Sequence, residues 1–103
     1  MGKKPLLAGI KAALSAVHGD KLQGVVLFGS EARNKAADDS DIDVLVILRG
    51  PIEVRDDLLS LDAVYPLMLE HERPIHAICV DAAEYEAGDF PLYRNAKATG
   101  IRL

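Results

Sequence analysis

A chain of 103 residues, half of them apolar and 27 % charged, fits one domain spanning 1–103 and leaves no room for a second core. Sixteen acidic against twelve basic residues give a net charge of −4, so the overall field repels polyanions and no direct grip on nucleic acid is expected. No apolar stretch approaches the ~20 residues of a membrane span. The one cysteine, Cys79, excludes an internal disulfide and reads as a small buried hydrophobe in a protein of a reducing cytoplasm.

Lys3 and Lys4 precede a short apolar run that Lys11 interrupts, below the ~7–15 residues of a signal-peptide core. Leu6 stands where a myristoylation motif needs Ser or Thr. Leu6, Leu7, Ile10, Ala13, Leu14 and Val17 recur at helical spacing before Gly19, predicting a helix over 5–18 with its apolar stripe on the core. Gly24 to Phe28 reads as a strand covered on both faces, and Ser30 after Gly29 can cap a short helix from Glu31.

After the polar stretch Ala36 to Ser40, Asp41 to Leu48 is predicted as the second strand, closed by Gly50-Pro51. Ile52 to Glu72 follows helical periodicity, with Pro66 expected to kink or break it. Pro74 to Val80 reads as a third strand, Asp81 to Glu86 as a turn or short helix, and Phe90 to Thr99 as a closing helix with Gly100 at its C-cap. Few aromatic residues and no Trp leave the core to Leu, Ile, Val and Ala. The interleaving of helices and strands predicts an α/β fold, one small domain with a mixed sheet and flanking helices.

The chemistry concentrates in two segments. Gly29 removes a side chain where the backbone turns from strand towards helix, so a phosphate can approach, and Ser30 adds a hydroxyl and backbone N–H groups there. Asp41 and Asp43, two apart in a strand, project from the same face and can converge on a hard cation, while Ile42 points into the core. Carboxylates opening an apolar strand are costly without a cation. Mg²⁺ shared between carboxylates and triphosphate points to nucleotidyl transfer.

Gly29-Ser30, the ten-residue spacer and Asp41-Ile42-Asp43 together resemble the signature of the DNA polymerase beta-like nucleotidyltransferases, and within them the minimal nucleotidyltransferases. The likeness extends to Ser40 through Val46 and, less specifically, to Phe90-Pro91-Leu92-Tyr93-Arg94 with Gly100-Ile101. Two positions depart from the family pattern. Asn34 stands where Gly is usual, and Asn tolerates a left-handed backbone. His76 stands where the family carries a third carboxylate in a later strand; it can substitute as ligand or base, mark a lost activity, or merely be hydrogen-bonded beside the sheet. Asp81, five residues on, is a lesser candidate, and Arg33 can reach a phosphate or remain solvated.

The resemblance implies Mg²⁺ held by Asp41 and Asp43, catalysis by that pair and nucleotide binding by Gly29 and Ser30; His76, in the place of the third carboxylate, is the further catalytic candidate and Arg33 the further nucleotide-binding one. It further implies transfer of a nucleoside monophosphate, AMP from ATP, to a hydroxyl of a partner, either a HEPN-type toxin neutralised by this chain as antitoxin or a second copy. The alternative is a degenerate module that acts by binding alone. A glycosyltransferase with an Asp-X-Asp motif needs a far longer chain and leaves the Gly-Ser turn unexplained. His18 and His71 read as helix-end residues, Glu70 to Arg73 as a solvent-facing helix terminus, and Tyr85 and Tyr93 as packing residues.

Overall fold

The computed structural model describes residues 3–29 and 41–103. Helix α1, Lys3–His18, runs into a 3₁₀ turn at Gly19–Lys21, and buries Leu6, Ile10 and Leu14, the spacing that puts one stripe on the core. Strand β1, Leu22–Phe28, starts two residues before the predicted strand. It pairs antiparallel with β2, Ile42–Leu48. Along β2 every residue but Asp43 is buried, as befits a central strand covered on both faces.

Helix α2 spans Val54–His71 and opens with a capping box in which the Glu53 N–H donates to Asp56 Oδ2 at 2.8 Å. The expected break at Pro66 does not occur, and the helix runs through it. Pro66 lies on the exposed side, where water can serve the carbonyl that its missing N–H leaves without a donor. The left-handed Glu72 ends the helix, and β3, Ile75–Asp81, follows parallel to β2.

Asp81 is the N-cap of α3, Ala82–Ala87, accepting from Ala83 N–H at 2.8 Å and Glu84 N–H at 3.3 Å. Helix α4 spans Pro91–Thr99. Beyond Gly100 the chain forms a strand absent from the sequence reading: β4, Ile101–Arg102, pairs antiparallel with Val26 and Leu27. Gly100 allows this return, because a Cβ there would strike Val26 and the Ala96 carbonyl. The four strands lie in the order β3-β2-β1-β4.

Alternation along the strands divides the core. Val25, Leu27, Ile42, Val44, Val46 and Leu48 pack with α1 and α2, while Val26, Leu45, Ile47 and Val80 pack with Tyr85 of α3 and Ala96 of α4. Tyr85 and Tyr93 meet edge to face with centroids 5.9 Å apart, the packing role expected of them. Between α1, α2 and β3, His18 Nε2 lies 2.7 Å from Ser60 Oγ, which lies 3.3 Å from Cys79 Sγ. His18 is thus a buried polar residue as well as a helix end, and Cys79 is half-buried and hydrogen-bonded. Burial pushes the His18 pKa down and Lys21 adds to this, with Asp56 opposing. Its Nδ1 is buried without a hydrogen-bond partner. Nε2–H donating to Ser60 leaves only a lone pair unsatisfied there, the less costly arrangement.

Candidate functional site

The sheet brings separate pieces of sequence to one of its ends. Gly29 follows the last residue of β1 with φ +76°, a left-handed backbone that favours glycine. A Cβ built on it would lie 3.1 Å from Asp43 Oδ2, so the bare backbone is what gives the carboxylate its room. Asp43 is flanked in register by Phe28 of β1 and His76 of β3. Ile42 is fully buried on the α1–α2 side, which leaves the flanking Asp41 and Asp43 to the opposite face.

Asp41 precedes β2 by one residue, and its Oδ2 accepts from His76 Nε2 at 3.0 Å. Both side chains are more than half exposed, so this hydrogen bond orients the groups more than it stabilises the fold. A carboxylate only accepts, so Nε2 is the donor and Nδ1 is the nitrogen able to take a proton. The parallel register that sets His76 beside Asp43 is the link sequence spacing alone does not reveal. Ile42 N–H donates to the Pro74 carbonyl at 2.9 Å, extending the β2–β3 pairing to this end.

Asp81 lies at the other end of β3 from His76 and is engaged as the cap of α3, so it does not enter the cluster. Ser30 and Arg33, and the helix expected from Glu31, lie outside the described residues. A shallow depression lined by Lys11, Ser15, Gln23 and Arg102 adjoins the start of β1, remote from Gly29 at its far end.

Among the described residues, no group of three or more His, Cys, Asp and Glu side chains is arranged to hold a metal. Two adjacent carboxylates fit Mg²⁺ nonetheless, because that ion is usually bound by one or two carboxylates plus substrate phosphate oxygens and water. No helix among the described residues is long and apolar enough to cross a membrane.

Residues 8–98 match the family model of a nucleotidyltransferase domain. No curated protein matches the sequence. Among solved structures, a toxin–antitoxin complex with AMP-PNP superposes with a TM-score of 0.63 at 17 % identity, covering 90 % of this chain and 68 % of the other. A variant of the toxin–antitoxin MntA–HpeT with two aspartates changed to glutamate gives 0.61 at 14 % identity, covering 99 % and 71 %. A candidate nucleotidyltransferase from Sulfolobus solfataricus gives 0.55 at 23 % identity, covering 99 % and 87 %. At these identities the likeness is one of fold.

Proposed function

This chain belongs to the nucleotidyltransferase family, and from that membership we propose that it transfers AMP from ATP to a hydroxyl of a partner protein, with Mg²⁺ held by Asp41 and Asp43. The observation that carries the reading is the convergence of Gly29, Asp41, Asp43 and His76 at one end of the sheet.

Gly29 leaves space for the triphosphate beside Asp43, and Ser30 and Arg33 are assigned to its phosphates. Asp41 and Asp43 would hold Mg²⁺, which when bound would neutralise phosphate charge and make a nearby hydroxyl more acidic. The acceptor oxygen attacks the α-phosphorus, the bond from that phosphorus to the bridging oxygen breaks, and pyrophosphate leaves. His76 takes the acceptor's proton at Nδ1, with Asp41 holding the ring through Nε2–H.

The toxin–antitoxin complexes among the structural neighbours support a toxin as acceptor and an antitoxin role for this chain, and the HEPN type is the one the sequence resemblance implies. A second reading has its own observation: position 76 carries an imidazole where the family resemblance leads to a carboxylate, which suits a module that binds nucleotide and partner without transfer.

Transfer from α-labelled ATP to a co-purified partner, run for the parent, His76→Ala and His76→Asp, separates these readings. The proposal expects His76→Ala to lose most transfer and the Asp variant to retain some, since a carboxylate can serve as base or ligand. Three equal nonzero rates would remove His76 from the site. No transfer by any form, with partner binding intact, would establish the binding module.

A further inference from the structure

The outer face of α2 carries Val54, Leu58, Leu61, Tyr65 and Leu69, each more than half exposed. Their spacing of four, three, four and four residues stacks them in one stripe along about 22 Å of helix, at ~1.5 Å per residue. The opposite face, with Asp56, Ser60 and Val64, is buried, so the stripe is surplus to the chain's own core. A continuous apolar stripe rimmed by charge marks a protein-binding face, and this spacing is that of one helix lying on another.

We infer that this stripe seats a helix of a different protein, apolar along one seam and basic on its flanks. The inference rests on the protein-acceptor reading above and names the surface that reading requires. Charge selects the occupant. Asp57 and Asp62 border the stripe on its two sides, both exposed. In an antiparallel pair of two copies each flank meets the same flank of the other, which sets Asp62, beside the midpoint Leu61, against its own counterpart. Parallel pairing instead sets Asp57 against the counterpart of Asp62.

Either self-pairing therefore opposes two carboxylates. Arg55, seven residues from Asp62, stands ~10 Å along the axis and does not neutralise the midpoint. Lys or Arg on an incoming helix removes the repulsion and adds attraction on both flanks. The same acidic rim disfavours an anionic lipid surface. Beyond Leu69 the chain turns at Glu72 into β3, and the Pro74 carbonyl in that turn is held by Ile42, between Asp41 and Asp43. One end of a seated helix thus adjoins the turn that leads to His76.

The test titrates the full chain with two synthetic 21-residue helical peptides, alike in their Leu seam, one flanked by Lys and one by Glu, followed by fluorescence anisotropy. The Lys-flanked peptide should bind more tightly. Leu58→Ser with Leu61→Ser should weaken it by about tenfold or more per leucine, and Asp57→Lys with Asp62→Lys should invert the preference between peptides. Circular dichroism and Mg·ATP affinity should be unchanged in these surface variants.

Equal binding by the parent and the double-Ser variant, or a preference that charge reversal leaves in place, would overturn the inference. So would sedimentation showing dimers of the chain that Leu61→Ser dissociates, or binding to phosphatidylserine vesicles that the double-Ser variant loses. Peptide docking intact in a parent chain that binds no Mg·ATP would defeat the nucleotidyl-transfer reading and leave the docking surface standing; the reverse would defeat the docking surface alone.

Discussion

Replacing Gly29 by Ala tests two consequences of one backbone position. With φ at +76°, a residue carrying a Cβ pays roughly 1–2 kcal/mol for the left-handed conformation, so urea unfolding should show a loss of about that size. The new methyl would stand 3.1 Å from Asp43 Oδ2, so the carboxylate must yield by a few tenths of an ångström or the turn must move. If Asp43 is a metal ligand, losing one charge-assisted contact of ~1.5–3 kcal/mol should weaken Mg·ATP binding roughly ten- to a hundredfold. Gly29→Asn separates the two effects. Asn tolerates the left-handed backbone better but carries the same Cβ, so stability should partly return while affinity stays low. Calorimetric titration with Mg·ATP beside urea unfolding reads both quantities. Parental affinity in the Ala variant, accompanied by the expected stability loss, would refute the role of this turn in the site.

Two further predictions concern the buried polar line of His18, Ser60 and Cys79. Burial lowers the His18 pKa in the folded chain, so its contribution is fully present above the unfolded value of about 6.5 and is lost as pH falls through the folded value. Urea midpoints should therefore drop between pH 7.5 and 5, and His18→Gln should flatten that drop; an equal slope in both forms would show that the imidazole does not titrate with unfolding. Cys79 is pushed up to about 11, chiefly by burial and further by Asp57 and Asp56, against a lowering hydrogen bond from Ser60. Its thiolate should be scarce at pH 8, so modification by a thiol reagent should be slow in the folded chain and roughly a hundredfold faster in urea. Similar rates in both states would contradict that environment.

Much of the fold is legible in the amino-acid order because its signals are local. The apolar spacing of Leu6, Ile10 and Leu14 marks α1, and the unbroken runs of β1 and β2 mark strands covered on both faces. Other features depend on contacts distant in sequence. Strand β4 has only Ile101 and Arg102, too few for any periodicity, and exists because Gly100 lets the chain return against β1. Pro66 carries a strong local breaking signal, yet its place on the exposed side of α2 lets the helix continue. The bond from His18 to Ser60 links positions 42 residues apart, which no motif encodes.

The candidate site divides in the same way. Asp41 and Asp43 are readable as a pair from their alternation alone, and Gly29 from its place at the end of an apolar strand. The partnership of His76 with Asp41 depends on the parallel register of β3 against β2, which is a tertiary fact. The resemblance to nucleotidyltransferases supplied the expectation that position 76 joins the carboxylates. The strand pairing supplies the physical reason that it can.

The most direct measurement of the central claim is calorimetric titration of the chain with ATP in the presence and absence of Mg²⁺, for the parent and for Asp41→Asn with Asp43→Asn. Mg²⁺-dependent binding is expected for the parent and its loss in the double variant, with circular dichroism unchanged because both positions lie at the end of the sheet and outside the apolar clusters. Unchanged Mg·ATP affinity in a folded double variant would contradict that claim.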